Sequence, residues 1–72
     1  MNGETDYEIA KDQVVISDCL QKLGLHDFAI EARLTADCKI LERLINVIEW
    51  KAKRQGRHDV LEMLYFAGFI DG

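Results

Sequence analysis

The apolar positions of the chain fall into three runs of helical period, and glycines separate the runs. Ile9, Val15, Ile16, Cys19, Leu20 and Leu23 recur as one stripe, the spacing of an amphipathic helix. Thr5 and Glu8 stand ahead of it as a T-x-x-E capping box, and Asp6 and Glu8 place negative charge at the positive end of the dipole. Gly24 supplies a stop, after which Leu25 can fold back on Leu20. These signals predict a helix over about residues 6–23, behind a loose tail of residues 1–4.

The second run is the longest. Leu34, Cys38, Leu41, Ile45, Ile48 and Ala52 follow a heptad-like spacing, which Ile30 extends by a turn. Ile40, Leu44 and Val47 form a second line beside the first, so that roughly half the circumference is apolar. A surface helix needs a stripe only about 100° wide, so this helix must touch something on two sides. The expected element starts near Asp27, which can cap it, and runs to about Gln55, before Gly56. Roughly 28 residues at the helical rise would make a rod about 42 Å long. Thr35, with Asp37 in the turn that would follow, offers a second start at which the rod could break near Leu34.

The third run carries Val60, Leu61, Met63, Leu64, Phe66, Ala67, Phe69 and Ile70, opened by a capping-box spacing of Asp59 and Glu62. It is apolar nearly all round and predicts a covered helix over about residues 59–70. There is no strand-period run, no internal repeat and no proline. The expected fold class is all-α: a single three-helix domain, residues 1–72, with a long central helix and antiparallel neighbours joined by short turns.

Size and charge sharpen the picture. A chain of 72 residues that is 49% hydrophobic has too much surface to hide every apolar side chain within itself. A helical homodimer is therefore expected, with Leu34, Cys38, Leu41, Ile45 and Ile48 at its interface. The net charge of −4 argues against a protein whose bulk charge drives nucleic-acid binding. No apolar run approaches the length of a membrane span, and no secretory leader is visible. With only Cys19 and Cys38, both within helical patterns, reduced buried thiols and a cytoplasmic setting are expected.

Few residues suggest chemistry. "FAGFIDG", residues 66–72, resembles the opening of the motif of the LAGLIDADG homing endonucleases. In that family the motif is a helix at a two-fold interface, closed by an acid that binds catalytic metal. The resemblance covers seven residues, mostly of common apolar type, and does not include that acid, so the segment is read as the end of an apolar helix in which Gly68 permits close approach. His26–Asp27 and His58–Asp59 look like base–carboxylate pairs, yet both fall where a helix begins and an aspartate caps. The four Cys and His residues match no zinc spacing. Neither a catalytic site, nor a metal, nor a cofactor is expected.

Two surface features remain. "KAKRQGRH" gathers Lys51, Lys53, Arg54 and Arg57. They are either phosphate contacts or cations placed at a helix C-terminus by the dipole. A helix-turn-helix in which the last helix reads DNA is disfavoured, because that helix offers Leu, Met, Tyr and Phe to base edges instead of polar groups. Trp50 lies opposite the Leu41–Ile45–Ile48 seam, with Arg54 one turn on, and Tyr7 and Val14 lie off the stripe of the first helix. Trp, Tyr and Arg dominate binding hot spots, so Trp50, Tyr7 and Arg54 are the candidate protein-binding residues. The expected function is a non-catalytic protein-interaction module that binds and modulates another protein, as an adaptor, antitoxin-like partner or, above all, inhibitor. In size and style it resembles the small phage- and plasmid-encoded regulators of host factors. The alternative is a small dimeric nucleic-acid-associated regulator using the basic run.

Overall fold

The computed structural model describes residues 6–71, with side chains from Ile9 onward. The tail expected over residues 1–4 and the Thr5–Glu8 capping box lie outside the described residues. Four helices follow one another: α1 (Asp6–Lys22), α2 (His26–Leu34), α3 (Cys38–Gln55) and α4 (His58–Phe66). No strand occurs among the described residues, and no helix is long and apolar enough to cross a membrane.

The expected third element is the fourth, because the central rod breaks at residues 35–37. Thr35 turns extended, with φ −95° and ψ 138°. Its hydroxyl accepts from the Asp37 amide at 3.2 Å, and the Asp37 carboxylate accepts from the Lys39 amide at 2.9 Å, capping α3. Carbonyls at the end of α2 find a donor on another helix: Gln13 Nε2 of α1 donates to the Thr35 carbonyl and, at 3.4 Å, to that of Arg33. Every backbone group freed by the break that such bonds reach escapes the penalty of a buried orphan. With the rod divided, α2 lies along α1, its most extensive neighbour, while α3 pairs with α4.

Helix ends differ from expectation in other ways. Asp27 does not cap α2, which opens at His26 behind Leu25 with no side-chain cap bond. Asp59 and Glu62 form no capping box on α4, which opens at His58 behind Arg57; Asp27 and Asp59 lie instead in the first turns, where the dipole favours negative charge. The stop after α1 matches its prediction, with Leu25 N–H donating to the Leu20 carbonyl at 2.9 Å. The same arrangement ends α3, where Arg57 N–H reaches Ala52. It also ends α4, where Phe69 N–H reaches Leu64, so that helix closes at Phe66 and not at residue 70. Gly56 and Gly68 have φ of +67° and +81°, values that cost an L side chain strain. A Cβ on Gly68 would meet nothing within 4 Å, so its left-handed turn, and not close approach, explains that glycine.

One core joins the four helices. α1 contributes Ile16, Cys19 and Leu20, with Leu23 just beyond it; α3 contributes Leu41, Leu44, Ile48 and Ala52; and α4 contributes Val60 and Leu64. From α2 come only Ala29 and Ala32, whose small size lets that helix lie close on α1. Buried Ser17 of α1 is not orphaned: its hydroxyl accepts from Arg33 Nε of α2 at 2.9 Å. The Cα envelope measures 34 × 27 × 16 Å, and its least dimension is about that of two helices laid together. So thin a body cannot cover both sides of every helix. Val14, Phe28, Ile30, Leu34, Trp50, Tyr65 and Phe66 remain exposed.

Ile48 is fully buried and Ile30 is 58% exposed. Ile48→Ala should therefore lower the unfolding free energy by about 2–5 kcal/mol, the transfer and cavity terms together. Ile30→Ala should cost about 1 kcal/mol or less. Urea melts of the two variants check the ranking, and equal losses would contradict this core.

Candidate interaction surface

The dimer seam expected on the central helix does not survive as a surface. Leu41 and Ile48 belong to the core of the single chain, at 6% and 0% exposure. Cys38 and Ile45 are half-buried and line a groove of about 530 Å³ between α1, α3 and the turn after α4, where Ile16 and Phe69 also face it. Leu34 ends α2 on the far side of the break and is 81% exposed. The five residues are not one stripe, because the break at residues 35–37 offsets α2 from the phase of α3.

The basic run is dispersed in the same way. Arg57 is a structural clamp. Its Nε and Nη2 donate to Asp59 Oδ1 and Oδ2 at 3.1 and 3.0 Å, and its Nη1 donates to the Lys22 carbonyl at 2.8 Å. It ties the α3–α4 turn to the end of α1, and three of its five N–H groups are engaged in doing so. Lys53 pairs with Glu49 at 3.3 Å along α3. Lys51 is half-buried and stands roughly 160° round the helix from Lys53 at about 100° per residue.

The outward side of α3 presents a different set. Lys53, Asn46, Lys39, Trp50, Arg43 and Arg54, all exposed, fall within an arc of about 100° at the helical period. This arc lies opposite Leu44 and Ile48 and contains no carboxylate. Glu42 and Glu49 sit on its shoulder and turn to grooves beside α1 and α4. Trp50 is 58% exposed at the middle of the ridge, and the Arg54 guanidinium lies over its ring, 4.8 Å from the centroid. That cation–π contact covers one face of a large apolar ring that is otherwise open to water. Sequence reasoning singled out Trp50 and Arg54 but missed Lys39, Arg43 and Asn46. Their signal was the complement of the apolar seam: a run of exposed polar positions at the same period. Tyr7 lies at the start of α1, and its side chain is outside the described residues.

The reactive residue types do not converge. No group of three or more His, Cys, Asp or Glu side chains that could hold a metal occurs among the described residues. Burial, with Asp18 beside it, pushes the Cys19 thiol up to about 11, so it stays protonated at neutral pH and is a poor nucleophile. Cys19 and Cys38 are not joined in a disulfide. Asp59 answers to Arg57 and not to His58: the guanidinium hydrogen bonds hold its carboxyl at about 2. No family model, no curated protein and no solved structure matches the chain.

The Arg57–Asp59 clamp has a pH signature. Folding lowers the Asp59 pKa, so its contribution is fully present above the ordinary carboxylate range and fades as pH falls toward 2. The stability gap between the native chain and Asp59→Asn should stay level above about pH 5 and close between about pH 4 and 2. Urea midpoints measured across that range check it; a gap that opens on acidification would contradict the assignment.

Proposed function

We propose that the protein is a non-catalytic protein-interaction module that binds another protein and inhibits it, and that it docks through the outward ridge of α3. The single observation that carries this reading is Trp50, exposed at the centre of the ridge and braced by Arg54. An exposed tryptophan offers a large apolar area to a partner, and such residues dominate interface energetics. The surrounding cations call for a partner whose surface is acidic around an apolar pocket. The protein also forms a homodimer, and it acts in a cytoplasm in the manner of a small regulator of a host factor.

A second reading draws on the ridge itself. Four cations without an intervening carboxylate also suit nucleic-acid phosphates, and Trp50 could stack on a base. The net charge of −4 and the acidic outer side of α2, where Asp27 and Glu31 are exposed, weigh against it.

Trp50→Ala should leave the chain folded, as read by circular dichroism, and weaken partner binding by about 2 kcal/mol or more. Replacing Lys53 and Arg54 by Gln should chiefly slow association and change its salt dependence. Both are read by titration against the partner recovered in a cross-linked pull-down. The nucleic-acid reading requires the reverse ranking, with affinity falling steeply as salt rises.

A further inference from the structure

The charge of the chain is segregated by helix. α3 carries five cations and two carboxylates, whereas the rest of the chain carries four cations and eleven carboxylates. Part of that acidity is organised. On α2, Asp27, Ile30, Glu31 and Leu34 fall within an arc of about 100° at the helical period, opposite the buried Ala29 and Ala32. All four are exposed, Ile30 at 58% and Leu34 at 81%. The only cation of α2, Arg33, is turned to Ser17 on α1. Neither Asp27 nor Glu31 on α2, nor Lys39 or Arg43 on α3, has an ion-pair partner among the described residues.

The chain thus has two outward faces of opposite character. One is acidic around two aliphatic side chains, and the other is basic around a tryptophan. They cannot meet within a single chain, because each points away from the core that the two helices share. We infer that a second copy of the chain covers them. The α2 face of each copy seats on the α3 ridge of the other, with Trp50 against Ile30 and Leu34, and with Asp27 and Glu31 against the cations that flank Trp50. Two equivalent contacts of this kind make an isologous, two-fold dimer, in which each pairing occurs twice. The match of charge selects a second copy over nucleic acid, which suits the α3 ridge and is repelled by the α2 face. Because the same ridge serves as the docking face proposed above, on which this consequence rests, self-association and partner binding exclude one another.

Charge reversal tests the pairing. Asp27→Lys with Glu31→Lys makes the α2 face basic, and Lys39→Glu with Arg43→Glu and Arg54→Glu makes the α3 ridge acidic. The native chain, of mass 8.3 kDa, should sediment at twice that mass at micromolar concentration. Each reversed variant alone should need about tenfold or more higher concentration to associate, since both of its contacts oppose like charges. An equimolar mixture should recover the dimer, because in the mixed pair both contacts are complementary again. Circular dichroism confirms that each variant is folded. Leu34→Gln, which touches only an exposed side chain, provides an independent arm and should also weaken the dimer about tenfold. A native chain that stays monomeric, reversed variants that still dimerise, a mixture that stays monomeric, an indifferent Leu34→Gln, or assembly beyond two copies would each overturn the inference. The two proposals fail separately. A monomer whose partner binding still depends on Trp50 overturns the dimer alone; a dimer whose partner ignores Trp50→Ala overturns the docking face alone.

Discussion

The hydrogen bonds at residues 35–37 set the geometry of everything else. A helix running unbroken from α2 into α3 would project well beyond the 34 Å longest dimension of the molecule. It could lie along α1 or along α4, but not along both. Thr35 and Asp37 each satisfy a backbone amide at the break, and Gln13 satisfies carbonyls from across the α1–α2 interface. The break is thus stabilised from both sides, and a helix that would have been a rod becomes two packing elements. The cost of interrupting the ladder is offset because the freed groups have partners.

That division decides what reaches the surface. Once α2 folds back on α1, its two alanines face inward, and Ile30 and Leu34 have nowhere to go but out. α3 in turn buries the side defined by Leu44, Ile48 and Ala52, which leaves its cations and Trp50 in solvent. With no more than two helix thicknesses of protein available, the molecule cannot hide a second side of either helix. Its exposed apolar residues follow from its thinness as much as from its composition.

Much of this was legible along the chain. The stripe of α1 and the helical class were plain from the apolar period, and Gly24 and Gly56 marked two real ends. Thr35 and Asp37 carried the signal for the break, but a heptad spacing continued through them and argued the other way. Which signal prevails depends on Gln13, 22 residues away, and no local pattern reveals a partner at that distance. The same blindness affected Arg57. As a sequence feature it joined a basic run; in the fold three of its five N–H donors are engaged by Asp59 and by the Lys22 carbonyl. The α4 terminus was misjudged because Phe69 and Ile70 continue the apolar pattern past Gly68; they pack against the core from a turn, not from a helix.

The outward ridge of α3 shares no residue with the core. Within a single chain, Lys39, Arg43, Asn46, Trp50 and Arg54 can change identity without altering a contact of its core, and surface substitutions of that kind shift stability by only about 0.5 kcal/mol. A scaffold divided in this way separates heredity of fold from heredity of specificity. If the ridge docks a partner as proposed, drift along one face of one helix would retarget the molecule to a new surface, while the break, the clamp and the glycine stops continue to build the same body beneath it.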